Sequence, residues 1–321
     1  MQSFESLSKQ FSEKFNERHF PGQPASLYEP NEYFLRLGGK RVRPVLCLMG
    51  NELFDEINPD AWYTAIAIEL FHNFTLIHDD IMDKAPLRRG METVHSKYGE
   101  STALLAGDVM LVKAYDYLNK INSSYIHAVL DLFNRTAMEV CEGQQMDMDF
   151  EQMVKVSLDD YLKMIELKTS VALAASLQVG AILGGAGQRN QNLIYEFGKK
   201  LGMAFQVQDD YLDAFGDPKK FGKQVGGDIL SNKKTFLLIQ ALEAGSVKNK
   251  SELQGLLNGE QENKIQKVLN IYKEAGVDGW ALELKNKYLD EALKHLEDIA
   301  VLSKRKEPLK ELAHFLIQRE V

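Results

Sequence analysis

Two acidic clusters carry the clearest chemistry in the chain: Asp79, Asp80 and Asp83 in DDIMD, and Asp209, Asp210 and Asp213 in DDYLD. On a helix the first and last Asp of each cluster lie one turn apart on one face, so both carboxylates point the same way. Opposing two such faces is costly unless divalent cations neutralise them. Magnesium suits the task, because it binds through a few carboxylates and completes its shell with water and substrate phosphates. Such a site grips a diphosphate. An EF-hand is excluded, since neither cluster has the alternating acids, central Gly and terminal Glu of a calcium loop. A solvated acidic helix end would explain one cluster, which arises by chance in about 5% of chains this long, but not two.

Three basic groups lie near the acids or in glycine-rich turns. In GGKRVRP, residues 38–44, Lys40, Arg41 and Arg43 offer cationic donors for phosphate on a tight backbone. Arg88 and Arg89 follow the first acidic cluster after Pro86, where guanidinium geometry matches phosphate oxygens. FGKQVGGDILSNKKT, residues 221–235, is a lysine-bearing loop suited to folding over an anion. It lacks the spacing of a P-loop.

The elements that must position these groups read as helices. Five of the eight prolines lie in the first 60 residues, and none falls between Pro86 and Pro218 or between Pro218 and Pro308. Those gaps leave room for unbroken helices. The stretches 101–121, 125–143 and 161–185 show apolar recurrence near i, i+3, i+4, whereas alternating strand patterns are missing. One helix is expected over about Asp60–Met82, closed by Pro86, and another over about Asn190–Phe215, stopped by Gly216, Asp217 and Pro218. Both acidic motifs then sit at helix C-termini, which disfavour anions and which a bound metal would compensate. No repeat or linker interrupts the pattern, so residues 1–321 are expected to form a single all-α domain.

Composition narrows the classes. At 321 residues and 45% hydrophobic the chain can bury a large core. A net charge of −8 argues against a nucleic-acid binder. Cys47 and Cys141 fit neither a disulfide framework nor a zinc site. The polar N-terminus shows no signal peptide, and no apolar stretch reads as long enough to span a bilayer. A cytoplasmic protein without a stable membrane anchor is expected.

Together these motifs resemble the isoprenyl diphosphate synthases, the trans-polyprenyl synthetase family. The resemblance runs from GGKRVRP to the K-K-T run, through HDDIMDKAPLRRG, ALLAGD at 103–108, GQQMD at 143–147, Lys168-Thr169, FQVQDDYLD and GKQVGGDI. It implies an all-α bundle of about ten or more helices around a central cavity, as in related folds. The family is usually homodimeric, with both acidic motifs facing each other across the cavity mouth. Carried over by position, Asp79, Asp80, Asp83, Asp209 and Asp213 correspond to the ligands of three magnesium ions on an allylic diphosphate. Asp210 corresponds to a water-mediated partner. Arg88, Lys168, Lys223 and Lys233 correspond to allylic-diphosphate contacts. Lys40, Arg43, His72 and Arg89 resemble the isopentenyl diphosphate pocket. Thr169 and Gln206 correspond to polar groups that steady positive charge near the reacting carbons, and Gln144 and Asp147 to a supporting network. A lone His on an apolar helix is usually a core residue. His72, however, lies seven residues before Asp79 on the same face, and the family match favours diphosphate contact. Thr75 and His78 have no such support and read as structural.

The reaction implied is a head-to-tail condensation of isopentenyl diphosphate onto an allylic cation. Phe74 lies five residues before Asp79, with Phe71 nearly one turn further. Both could be ordinary core aromatics. In the family an aromatic at the fifth position before the motif is a floor that stops elongation. With Thr75 at the fourth position and no insertion in the motif, the pattern resembles enzymes making the C20 product, geranylgeranyl diphosphate, with the C15 product, farnesyl diphosphate, next. Longer-chain synthases, a non-catalytic partner subunit and a terpene cyclase are the rival readings. Damaged acidic motifs would favour the partner subunit, and loss of the GGKRVRP-type pocket the cyclase; here both features are intact.

Overall fold

The computed structural model describes residues 1–216, 226–257 and 262–318 of the chain. These residues form two compact units, one of residues 1–133 and 176–191, the other of residues 134–175 and 192–321. Helices dominate both.

The first unit contains α1 (Phe4–Phe15), α2 (Ala25–Arg36), α3 (Val42–Glu52), α4 (Pro59–Met82), α5 (Val94–Tyr98) and α6 (Glu100–Leu118). It also takes the start of α7 (Ser123–Gln152) and the latter part of α9 (Val171–Leu183). Its core is built on Phe11, Phe34, Leu46, Leu48, Met49, Leu70, Ile77 and Met110, all fully buried. The helix that carries the first acidic motif, α4, packs most extensively against α6. It starts where expected, because Asn58 accepts from the Asp60 amide and Pro59 occupies the first turn. Its end is set before Pro86 acts. Lys84 adopts a left-handed φ of 49°, its amide donates to the Ile81 carbonyl, and that of Ala85 donates to the Asp80 carbonyl. This is a Schellman closure with Lys in the position that usually holds Gly.

Beyond it lies the one strand pairing among the described residues, an antiparallel pair of two-residue strands, β1 (Leu87–Arg88) and β2 (Met91–Glu92). The connecting Arg89-Gly90 has φ of 54° and 76°, the sign pattern of a tight hairpin turn. The sequence carried no alternation to announce it, since two residues are too few to show a period.

The second unit contains the remainder of α7, then α8 (Leu158–Ile165), a π-helical turn (Glu166–Ser170) and the beginning of α9. It continues through α10 (Gln188–Phe215), α11 (Gly227–Leu230), α12 (Phe236–Ala244), α13 (Val247–Leu257), α14 (Lys264–Glu274), α15 (Val277–Glu297) and α16 (Ser303–Gln318). Its core gathers Tyr161, Val207, Phe236, Leu253, Val268, Tyr272 and Val277.

Two expectations need correction. The run 161–185 is not one regular helix, because the π turn interrupts it at Lys168 and Thr169. Outside the proline-free gaps, Pro30 lies inside α2 and Pro308 inside α16. Each removes one backbone donor from its helix, a loss the surrounding packing absorbs. Finally, Leu158–Leu183 is long and apolar enough to cross a membrane by length and composition, although 78% of the 18-residue stretch that makes it so is buried within the protein. Core burial accounts for its apolarity.

Candidate active site

In the first unit, α4 carries the first acidic motif, His72 and the aromatic candidates. Asp80 is buried, and Arg88 from β1 donates through Nε to both of its carboxylate oxygens at 2.8 Å. The Arg88 Nη2 lies 2.8 Å from Asp80 Oδ1 and 3.5 Å from Asp79 Oδ2. Asp79 is half-buried and Asp83, the C-cap, is exposed. Asp80 is thus committed to holding Arg88, while Asp79, half-buried beside Arg88, and the exposed Asp83 stand one turn apart.

Arg89 ties this hairpin to the basic loop, donating to the Gly38 carbonyl. Arg43, further along, has Nη1 3.1 Å from His72 Nε2. Burial, reinforced by Arg43 and the neighbouring arginines, holds the His72 pKa well below its ordinary value. The ring is therefore neutral at pH 7, with Nε2 accepting from Arg43. Burial also lowers the Arg43 pKa, without threatening its charge. Lys40 is exposed on the same loop.

Arg41 behaves differently from its neighbours. The sequence offered it as a phosphate donor, but it is buried against Glu69, a hydrogen-bonded ion pair. Its Nη2 donates to the Leu35 carbonyl at 3.2 Å, and its guanidinium stacks 4.7 Å from the Phe15 ring. Asn73 completes the arrangement by donating to Glu69 Oε1 at 3.0 Å. Nothing in the local sequence pairs Arg41 with a residue 28 positions away.

The aromatic candidates also sit on α4. Phe74 is half-buried, with its ring centroid 5.8 Å from Phe71 and 4.8 Å from His78. Phe71 is buried and packs edge-on to Phe133 at 5.2 Å. Thr75 donates to the His72 carbonyl at 2.8 Å and His78 contacts the Leu104 carbonyl at 3.1 Å, in keeping with structural roles.

In the second unit the π turn presents Lys168 and Thr169. Two glycines let it sit where it does. A Cβ on Gly143 of α7 would fall 2.3 Å from the Lys168 amide nitrogen, and one on Gly202 of α10 would fall 2.7 Å from Ser170 Cα. Only a bare backbone admits that approach. Lys168 Nζ then lies 2.6 Å from Asp147 Oδ2, with Lys233 Nζ 3.9 Å from the same oxygen. Asp147 gathers two lysines that the sequence reading assigned to one diphosphate. Gln144 is half-buried on the same helix.

Asp210 is buried on α10, accepting from the Tyr161 hydroxyl and from Gln206 Nε2 at 2.9 Å. Burial, with the Asp228 charge nearby, pushes its pKa up to about 7, against the pull of those two hydrogen bonds. Thr169 Oγ1 lies 3.3 Å from Gln206 Oε1. Asp213 accepts the Asp228 amide at 3.0 Å through Oδ2, and its carbonyl accepts the Gly226 amide at 2.6 Å. Asp209 is half-buried one position before Asp210. Lys223 lies outside the described residues. Tyr161 was not singled out in the sequence; its one signal is that it precedes Lys168-Thr169 on the same helical run.

The donor set fits magnesium. Among the described residues no group of three or more His, Cys, Asp or Glu is gathered closely enough to hold an ion by itself. Magnesium asks for less, namely one or two hard carboxylates with waters and substrate phosphates supplying the rest. Asp79 with Asp83, and Asp209 with Asp213, offer that.

Comparison with known proteins shows the family. A model of the polyprenyl synthetase family matches residues 24–275. The geranylgeranyl diphosphate synthase of Methanosarcina mazei is 37% identical over 300 residues, covering 93% of this chain and 91% of that one. A short chain isoprenyl diphosphate synthase of Methanocaldococcus jannaschii is 40% identical over 250 residues, 77% of this chain and 76% of that one. A crystal structure of a geranylgeranyl pyrophosphate synthase superposes with a TM-score of 0.95 at 43% identity, covering 100% of both chains.

Proposed function

Because this chain belongs to the polyprenyl synthetase family, we propose that it is a short-chain trans-isoprenyl diphosphate synthase whose main product is geranylgeranyl diphosphate. It is a prenyltransferase, joining isopentenyl diphosphate head-to-tail to an allylic diphosphate. The observation that carries this reading is Arg88, fixed on Asp80 beside the acidic end of α4 and tied through Arg89 to the basic loop. One short helix end thereby supports both an acidic motif and two sets of anion-binding cations.

Asp79, Asp83, Asp209 and Asp213 would hold magnesium, and Asp80 orients Arg88. When bound, the metal screens the diphosphate charge and eases departure of pyrophosphate. Arg88, Lys168, Lys223 and Lys233 take up charge on the leaving group. Thr169 and Gln206 turn oxygen dipoles towards the electron-poor allylic carbon. Lys40, Arg43, His72 and Arg89 hold isopentenyl diphosphate, with neutral His72 buttressing Arg43. The allylic C–O bond breaks to give an allylic cation and pyrophosphate, the isopentenyl double bond attacks that cation, and loss of a proton to the released pyrophosphate restores an allylic product. Water must be excluded, since it would trap the cation. Phe74, backed by Phe71, is the floor that limits chain growth.

We further read the two compact units as parts of one catalytic domain, acting in the cytoplasm as a homodimer. Leu104, Leu105, Val112 and Tyr115 of α6 support the dimer: they are exposed and fall within about 100° of helix circumference.

Incubation of the purified chain with magnesium, labelled isopentenyl diphosphate and C5, C10 or C15 allylic primers tests the reading. A C20 product from each primer is expected. No consumption of isopentenyl diphosphate by the chain alone would reject it in favour of a non-catalytic partner subunit, and a cyclised hydrocarbon would point to a cyclase.

A further inference from the structure

Tyr161 is buried, 2% exposed, in the core of the second unit. Its hydroxyl donates to Oδ2 of Asp210, itself 6% exposed. The other carboxylate oxygen, Oδ1, accepts from Gln206 Nε2 at 2.9 Å. Gln206 Oε1 accepts from Thr169 Oγ1 at 3.3 Å. The four side chains form a single directed line, Tyr161 to Asp210, Gln206 to Asp210, Thr169 to Gln206.

Direction matters because an amide can be turned over at little cost unless its partners forbid it. Both oxygens of Asp210 accept here. In the ionised form of Asp210 the nitrogen end of Gln206 then faces Asp210, and its oxygen end faces Thr169. The π turn contributes to the alignment. In a regular helix the eight residues from Tyr161 to Thr169 would leave their side chains about 80° apart. A turn that takes an extra residue narrows that angle, so both side chains reach one face of α10, where Gln206 and Asp210 are one turn apart.

We propose that Tyr161 is a positioning residue which, by fixing Asp210, holds the Gln206 amide with its oxygen towards Thr169 and the reacting allylic carbon. The inference rests on the reading above that Thr169 and Gln206 serve that carbon. Without the Tyr161 hydroxyl, Asp210 Oδ2 loses its donor, the carboxylate can rotate, and the Gln206 amide is no longer oriented. Its effect belongs to the transition state, when positive charge develops, rather than to substrate binding.

The test is a double-mutant cycle in the full-length enzyme. Tyr161→Phe keeps the ring that packs 6.2 Å from Phe236 and removes only the hydroxyl. It should lower kcat about ten-fold, leaving KM for both diphosphates and the magnesium half-saturation within about two-fold. Gln206→Ala should lower kcat by at least as much. Adding Tyr161→Phe to Gln206→Ala should then change kcat less than two-fold, because the group through which Tyr161 acts is gone. Independent, multiplying losses would overturn the proposal, as would a Tyr161→Phe effect confined to KM. Should Tyr161→Phe melt too low to assay, 3-fluorotyrosine at position 161 retains the ring and strengthens the donor. A kcat at or above wild type is expected, and a loss would overturn the proposal. Wild-type enzyme inactive in condensation would instead reject the functional reading itself.

Discussion

Arg41 and Glu69 form an ion pair whose side chains are only 6% and 5% exposed. Removing one partner strands the other charge in the core, at a cost of about 3–5 kcal/mol. Arg41→Met should therefore lower stability by that amount in denaturant titration. Adding Glu69→Leu to Arg41→Met should recover most of the loss, because a pair of apolar groups leaves no buried charge. A shift below about 1 kcal/mol for Arg41→Met would mean that the pair does not anchor the basic loop.

Arg88→Lys tests the clamp on Asp80. A lysine is a point donor and cannot bridge both carboxylate oxygens while keeping a second edge for phosphate. We expect kcat/KM for the allylic substrate to fall about 10- to 100-fold. Steady-state kinetics with varied primer, at saturating isopentenyl diphosphate, reads the effect.

Phe74→Ala should lengthen the product. The side chain is half-buried beside Phe71 and His78, so truncation opens space without exposing a core layer. Chromatographic sizing should show products beyond C20, each added unit being five carbons. An unchanged product would remove Phe74 from the chain-length role and leave it as packing.

His72 should make stability depend on pH in one direction. Its folded-state pKa lies well below the ordinary value because of burial and Arg43, whereas in the unfolded chain it titrates near about 6.5. Below that pH the unfolded state gains a proton that the folded state refuses, so stability falls as pH drops through about 6.5 and below. His72→Gln retains an acceptor for Arg43 and cannot titrate. The difference in melting temperature between wild type and variant should widen in the variant's favour from pH 7 to pH 5. A constant difference would contradict a neutral His72.

The helices that carry the acids were legible because long apolar recurrence and helix-stop residues are local signals. α4 and α10 both end where the motifs do. What the chain order hides is who meets whom. Arg41 reads like Lys40 and Arg43, yet it is committed to Glu69, and only folding brings the two together. Asp80 reads like Asp79 and Asp83, yet it is buried on Arg88 because the left-handed Lys84 turns the chain back towards α4. The π turn at Lys168 and Thr169 carried no visible warning, since the run that follows it, VALAASLQVGAIL, is apolar nearly all round and hides a shift of phase.

By itself, then, the sequence established an all-α chain, the paired aspartate motifs, the basic groups around them and the family to which these belong. Each depends on residue type and near-neighbour spacing. The tertiary structure decided which charges are available for substrate and which are consumed in holding the scaffold, and it revealed Tyr161 behind Asp210 and Gln206. Those outcomes depend on burial and on contacts between residues far apart in the chain, where desolvation leaves a charge no choice but to take the partner that folding supplies.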